Sequence, residues 1–156
     1  MVFISPTKGS LSFEGMFKDL MEYMNESPGS TYKVIVGTDS HNKDEVTFVT
    51  AVIIHRLGKG ARYYYTKKRD RKMISLRQRM FYEASLSLGV AGRLAEKMAH
   101  SHADLAGLEI HLDVGEKGDT KDIVREIVGM VMGSGFDARI KPESYGASKV
   151  ADKHTK

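Results

Sequence analysis

Three strand-like segments in direct succession constrain the fold of this chain more than any other feature. They cover residues 34–39, 46–54 and 61–66, are rich in Val, Ile, Thr and Tyr, and are separated by short polar or glycine-containing turns. They predict an antiparallel meander, because β-branched and aromatic residues favour strands and short turns join antiparallel neighbours. From about residue 72 to residue 100, apolar residues recur every three or four positions, which predicts a long helix.

The rest of the chain alternates between helix and strand. Before the meander, residues 12–24 form an amphipathic helical pattern with Ser10 or Ser12 as its N-cap. After the long helix, the sequence predicts a strand over 108–114, a helix capped by Asp119 or Thr120, a strand over 136–140 and a last helix from Ser144. The order α, βββ, α, β, α, β, α predicts an α/β protein whose mixed sheet carries helices on its faces, with the first, fourth and fifth strands parallel.

Composition limits both the size of the fold and its chemistry. The chain has 156 residues, 41% of them hydrophobic, which suits one domain over residues 1–156. It has no cysteine, which excludes disulfides, thiolate metal sites and cysteine nucleophiles. A formal charge of +4 and a pI near 9.2 favour a polyanionic partner. No segment resembles a signal peptide or a membrane span, so we expect a cytoplasmic protein and leave its oligomeric state open.

Two of the predicted strands end on an aspartate. Asp39 follows the apolar residues of the first strand, and Asp113 follows those of the fourth. Because adjacent parallel strands present their carboxyl ends at one edge of a sheet, we expect the two carboxylates to be neighbours. Like charges repel, and a divalent cation is the ordinary way to stabilise such a pair. The sequence therefore predicts a cation site at this edge.

The long helix offers one further carboxylate. At about 100° per residue, Glu83 lies beside the apolar stripe that faces the sheet, whereas Glu96 lies on the opposite face. Glu83 is thus the candidate third ligand, and pairing with Arg79 is its structural alternative. Asp152 lies so near the C-terminus that, taken alone, it is expected to be a solvated charge.

These acidic positions and two motifs resemble the ribonuclease H-like superfamily of nucleases. The motifs Val-Gly-Thr-Asp39-Ser-His and Ser-Lys-Val-Ala-Asp152-Lys-His-Thr are similar to those of its small bacterial YkuK-like family. The resemblance covers roughly residues 5–156. It implies a ribonuclease H-like five-stranded sheet in the order 3-2-1-4-5, with strand 2 antiparallel to the others, flanked by helices and preceded by an extra N-terminal helix.

The resemblance also implies an activity. It makes Asp39, Glu83, Asp113 and Asp152 the catalytic ligands of two Mg²⁺ or Mn²⁺ ions, with Asp39 as the central ligand. Such a site would hydrolyse phosphodiester bonds of RNA or DNA by a two-metal mechanism and leave a 5′-phosphate. The alternative is a non-catalytic ribonuclease H-like module that binds nucleic acid or protein.

The chain departs from ribonuclease H proper in two respects. It lacks a basic handle after the long helix, and residues 141–146 lack the mobile histidine of that enzyme. The choice between RNA, DNA and hybrid substrates, and between internal and terminal attack, therefore stays open. His41 and His154, each two residues past an aspartate, are candidate auxiliary groups.

Basic residues near the predicted site form a candidate nucleic-acid-binding set. Residues 67–72 are expected to be a loop between the third strand and the long helix, and the last helix brings further lysines. The set is Lys67, Lys68, Arg69, Arg71, Lys72, Lys149 and Lys153. Such side chains hold phosphates without reading bases.

A competing hypothesis places a metal on histidines. Either His100, His102 and Asp104 after the long helix, or Asp39 and His41 together with His111 and Asp113, could form a His/Asp zinc or iron site, which is the alternative to carboxylates alone. His111 shares a strand face with Asp113 and is a candidate donor to it.

Overall fold

The computed structural model of the chain describes residues 1–101, 105–114, 120–141, 144 and 147–155, with the side chains of 105, 106, 148 and 149 excepted. These residues form seven strands and four helices. The strands are β1 (Val2–Ser5), β2 (Gly9–Ser12), β3 (Tyr32–Asn42), β4 (Glu45–Arg56), β5 (Ala61–Arg71), β6 (Leu105–His111) and β7 (Asp137–Arg139). The helices are α1 (Phe13–Asn25), α2 (Leu76–Met98), α3 (Lys121–Gly133) and α4 (Ala147–Thr155).

The seven strands form one mixed sheet in the order β2-β1-β5-β4-β3-β6-β7. Strand β4 is antiparallel to both of its neighbours, while β3, β6 and β7 pair in parallel. The order β5-β4-β3-β6-β7 confirms the predicted arrangement, including the antiparallel second strand. Helix α1 is the predicted extra N-terminal helix. Ser12 is its N-cap, and the Ser12 Oγ accepts a hydrogen bond from the Gly15 amide at 3.0 Å.

The sheet has two strands more than the five predicted. Strands β1 and β2 form an N-terminal hairpin that joins the sheet through the pair Ile4↔Tyr65. Each is only four residues long. Gly9 adopts a left-handed backbone with φ of 74° where the chain turns back, a conformation that glycine adopts without steric cost. Val2, Phe3 and Ile4 are strand formers, but a run of three is too short to predict a strand, and Gly-Ser-Leu-Ser of β2 carries no such pattern.

The meander strands extend beyond their apolar segments. All residues of β3 pair with β4, and β4 continues to pair with β5 as far as Glu45↔Arg71. The prediction of a loop over residues 67–72 is therefore wrong for most of its length, because Lys67 to Arg71 belong to a strand. Their charged side chains are compatible with a sheet edge, where one side of the strand faces water.

Helices cover both faces of the sheet. On one face, α1, α2 and α3 pack against the core residues of the central strands, including the fully buried Val34, Val36 and Ile110. On the other face, α4 packs through Ala147 and Ala151, both fully buried, against a smaller apolar patch of β3 and β4. Among the described helices, none is long and apolar enough to cross a membrane.

Three helix starts differ in detail from the prediction. Helix α2 begins at Leu76, four residues later than expected, because Ser75 caps it by accepting a hydrogen bond from the Gln78 amide at 3.1 Å. Helix α3 follows Thr120, whose side chain makes no capping hydrogen bond. Helix α4 is described from Ala147 onward, and Ser144 itself is not helical.

The three consecutive tyrosines of β5 alternate between the two faces of the sheet. Tyr64 is fully buried and donates a hydrogen bond to Asp19 Oδ2 at 2.5 Å, and Arg62 Nη1 lies 3.3 Å from the same oxygen. Tyr63 and Tyr65 lie on the opposite face, which α4 covers. These tyrosines therefore attach α1 and α4 to the sheet.

Candidate active site

Strand register brings Asp39 and Asp113 to corresponding positions. The parallel pairing of β3 with β6 ends at Gly37↔His111, and each aspartate lies two residues beyond that pair. Because side chains alternate along a strand, Asp39 shares the face of Gly37. The expectation that Asp39 ends its strand is wrong, since β3 runs on to Asn42 by pairing with β4. Asp39 instead marks the place where β3 continues past the end of β6.

Glu83 reaches this place from α2. Its carboxylate accepts a short hydrogen bond from Ser40 Oγ, one residue past Asp39. Burial raises the pKa of Glu83 to about 7, and the negative charges of Asp39 and Asp113 add to the rise. The hydrogen bond from Ser40 and the charge of Arg79 act in the opposite direction. Glu96 is exposed, as its helical position predicts.

Asp152 reaches the same place from α4. The small residues Ala147 and Ala151 allow α4 to pack closely on β3 and β4, and Asp152 follows them directly. Although Asp152 is exposed, it lies close enough to Asp39 to raise the pKa of that carboxyl group. The expectation from the tail alone, that Asp152 is only a solvated charge, is therefore incomplete.

The four acidic residues form one electrostatic cluster. The pKa of Asp39 is raised to about 6, chiefly by burial and also by Asp152 and the charge of Asp113, against a hydrogen bond from the Ser40 backbone. Lys141 Nζ lies 3.1 Å from Asp113 Oδ1 and neutralises part of the charge. In the part of the chain that the structure describes, no three His, Asp or Glu side chains already converge as a set that could hold a metal ion.

Hydroxyl groups behind the cluster were missed by the sequence analysis. Thr38 Oγ1 lies 2.9 Å from Thr50 Oγ1 and 2.7 Å from Ser87 Oγ, so a buried hydrogen-bond chain ties β4, β3 and α2 together. Ser87 follows Glu83 by one helical turn, so this chain fixes the helix where it carries the carboxylate. The sequence feature that could have indicated these hydroxyl groups is Ser87, a serine within the apolar stripe of α2.

A small pocket lies next to these hydroxyls, between the sheet, α2 and α3. Its lining includes Thr38, Glu83, Ser87, Asp113 and Ile127. The carboxylates therefore sit at the mouth of a narrow space with an apolar floor, where charge is poorly solvated.

The two auxiliary histidines occupy different environments. His154 stacks on Tyr65 with 3.8 Å between ring centroids, and its Nε2 lies 3.3 Å from the Tyr63 hydroxyl. Burial, Lys153 and Lys67 together lower the pKa of His154. These contacts make it part of the attachment of α4 to β5. His41 is half-buried on β3, two residues past Asp39 and on the same strand face.

The predicted basic set is divided by strand alternation. Lys67 pairs with Val49, which pairs with Asp39, so these three residues share one face of the sheet. Arg69 follows on the same face. Lys68 lies on the opposite face, with its Nζ 5.0 Å from the centroid of the Tyr82 ring.

The other members of the basic set lie around the same end of the sheet. Arg71 and Lys72 are exposed where β5 leads into α2, and Lys153 is exposed beside Asp152. The backbone of Lys149 lies in α4, and its side chain is outside the described residues.

Only some of the residues of the alternative histidine site lie in the described part of the chain. His100 lies just past the end of α2, and His102 and Asp104 are outside the described residues. His111 is buried, and its Nε2 lies 3.0 Å from Glu109 Oε1. Glu109 also pairs with Lys33 at 3.2 Å and Arg139 at 3.5 Å, so His111 belongs to a buried charge network within the sheet.

The fold and the comparison with known proteins define the class. The ribonuclease H-like family matches residues 15–156, and the chain belongs to that family. It is similar to the uncharacterised protein YkuK of Bacillus subtilis (strain 168), with 32% identity over 168 aligned positions that cover 99% of this chain and 97% of the relative. The predicted membership of the ribonuclease H-like superfamily and its YkuK-like family is thereby confirmed.

Proposed function

We propose that this protein is a divalent-metal-dependent nuclease that hydrolyses phosphodiester bonds of RNA or DNA. The observation that supports this most is the electrostatic coupling of Asp39, on β3, with Glu83 of α2, Asp152 of α4 and Asp113 after β6. Two of them, Asp39 and Glu83, have pKa values raised to about 6 and about 7. Perturbed carboxylates in a cleft are typical of functional sites.

The donor set fits Mg²⁺ or Mn²⁺. Carboxylate oxygens are the ligands that these hard cations prefer, and the repulsion that raises both pKa values is relieved by positive charge. Asp39 would be the central ligand, with Glu83 and Asp113 on one ion and Asp152 on the second. When bound, the ions would supply a reactive hydroxide near neutral pH and stabilise the charge of the leaving oxygen.

The residues of the chain have separate tasks in this proposal. Ser40 holds the Glu83 carboxylate toward Asp39 through its hydrogen bond. Lys67 and Arg69 lie on the face of the sheet that carries Asp39, where their charges would bind phosphates on one side of the scissile bond. Lys153 would do so from α4.

A second candidate is a non-catalytic nucleic-acid-binding module of the same fold. Lys141 favours it, because its ammonium group lies 3.1 Å from Asp113 and compensates that carboxylate without a metal ion. Such a module would bind nucleic acid through the same basic residues and leave it intact.

Cleavage assays separate the two candidates. Labelled single-stranded, duplex and hybrid substrates are incubated with the purified protein and Mg²⁺ or Mn²⁺, in parallel with Asp39→Asn and Asp113→Asn. Glu96→Gln is the matched control, because Glu96 is an exposed carboxylate on the other face of α2. We expect wild type and Glu96→Gln to cut and both aspartate variants to lose at least about 100-fold in rate. Cleavage that persists in both aspartate variants, or a wild type that cuts none of the substrates, contradicts the nuclease.

A further inference from the structure

Ile74 is unusually exposed for a large apolar side chain. It is 94% exposed, against 61% for Met1 and 60% for Met132. It lies in the short segment between β5 and α2, after Lys72 and before the capping residue Ser75. An isoleucine with almost no protein contact gains little from burial in the fold, so its apolar surface is available to a ligand.

The segment around Ile74 is held in place on both sides. Asn42 Nδ2 donates to the Met73 carbonyl at 3.0 Å, and the Met73 amide donates to Asn42 Oδ1 at 3.3 Å. The Met73 side chain is 9% exposed and packs with Val46 and Phe48. Ser75 then caps α2. Ile74 therefore projects from a backbone that is fixed by its neighbours.

These attachments place Ile74 at the acidic end of the sheet. Asn42 lies three residues beyond Asp39 in β3, which corresponds to about 10 Å at the rise of a strand. Glu83 lies seven residues beyond Leu76 in α2, again about 10 Å along the helix. A nucleic acid bound at the carboxylates would reach Ile74 within a few nucleotides of its contact with them.

The charges around Ile74 identify the kind of ligand. Arg71 and Lys72 precede it and are exposed, and Arg69 is exposed one strand position earlier on the same edge. Arg69 lies 3.9 Å from Glu45, which leaves Arg71 and Lys72 as the cations beside Ile74 and the partly exposed Leu76. Apolar surface flanked by cations matches a polymer with anionic phosphates outside and apolar base faces inside. A protein partner would instead favour a cluster of apolar residues.

We propose that Ile74 is a wedge that inserts between adjacent bases of a double-stranded nucleic acid held at the acidic site. This proposal rests on the proposed function, which makes the ligand a nucleic acid. It adds that the nucleic acid is a stacked duplex. Apolar side chains, isoleucine among them, act as wedges that partly unstack a base step and kink the duplex. Arg71 and Lys72 would hold the flanking phosphates.

The test measures base unstacking directly. A duplex carrying the fluorescent base 2-aminopurine is titrated with wild type, Ile74→Ser, Lys72→Ala and the matched control Met132→Ser, with Ca²⁺ as the only divalent cation. Met132 is an exposed apolar residue near the C-terminal end of α3. Both bonds to Asn42 use the backbone of Met73, so Ile74→Ser retains them.

Wild type and Met132→Ser are expected to raise the fluorescence on binding. Ile74→Ser is expected to lose most of that rise and about tenfold in affinity, with an unchanged dependence on salt. Lys72→Ala is expected to keep the rise and lower the slope of log K against log salt by about 1. A rise that survives in Ile74→Ser overturns the wedge, as does a wild type that binds the duplex without a rise or does not bind it.

The outcomes also distinguish the two proposals. If the rise depends on Ile74 but no nucleic acid is cut with Mg²⁺ or Mn²⁺, the nuclease fails and the wedge stands. If substrates are cut and the rise does not depend on Ile74, the wedge fails and the nuclease stands.

Discussion

Asp39 and Glu83 hold protons more tightly in the folded chain than in the unfolded chain. Their pKa values rise from 3.8 to about 6 and from 4.5 to about 7. A carboxyl group with a raised folded pKa contributes stability below its unfolded pKa and loses that contribution as the pH rises through its folded pKa. The metal-free protein should therefore lose stability between about pH 4 and pH 7 at these two residues.

The amide variants test this at the residue scale. In EDTA, Asp39→Asn and Glu83→Gln cannot take up the unfavourable charge, so their melting temperatures should fall less than that of wild type between pH 5 and pH 8. At pH 8 each should melt about 5 °C above wild type. The measurement is thermal unfolding followed by circular dichroism. Equal pH dependence in wild type and both variants would show that the carboxylates are well solvated.

Strand alternation makes a second prediction, at the scale of one element. Lys67 shares the face of Asp39, whereas its neighbour Lys68 lies on the other face near Tyr82. Lys67→Ala should weaken nucleic-acid binding and lower the salt slope by about 1, while Lys68→Ala should change either quantity much less. Fluorescence anisotropy over a range of salt concentrations measures both. An equal loss of affinity in the two variants would contradict a nucleic-acid path along only one face of the sheet.

Helix α4 provides a third prediction. Ala151 is fully buried against the sheet and precedes Asp152. A leucine there overpacks the contact, which costs about 1–3 kcal/mol and displaces the helix. Ala151→Leu should therefore lose cleavage by about tenfold or more at temperatures where the protein remains folded. Lys18→Leu, at an exposed position of α1, is the control. Full activity in Ala151→Leu would mean that the position of Asp152 does not matter.

At the scale of the whole molecule, the arrangement of strands and helices was predictable where the hydrophobic periodicity of the sequence is strong. The β-branched meander and the helical crossovers predicted three antiparallel strands, then parallel ones, and placed Asp39 beside Asp113, whereas the full order of five strands came from the family resemblance. The angle around α2 separated Glu83 from Glu96 before any contact was known. Asp152 needed the family resemblance, because a charged residue in a short helix carries no such pattern.

Other features depend on contacts that the sequence does not display. The strands of the β1–β2 hairpin are too short to predict, and β2 is also polar, while β5 continues through Arg71 only because β4 offers it a partner. The hydrogen bond from Ser40 to Glu83 joins residues 43 positions apart. The stacking of His154 on Tyr65 likewise requires the packing of α4, so imidazole near the metals was an equally reasonable expectation.

The central claim is that the four acidic residues bind divalent metal. Crystals grown near pH 7.5 and soaked in Mn²⁺ test it most directly, through anomalous diffraction from manganese. We expect an anomalous peak from Mn²⁺ between Asp39 and Asp113, with carboxylate oxygens as the protein ligands of the ion, and no such peak in Asp39→Asn crystals. No peak between these residues, or a peak at His100 and His102 instead, would contradict it.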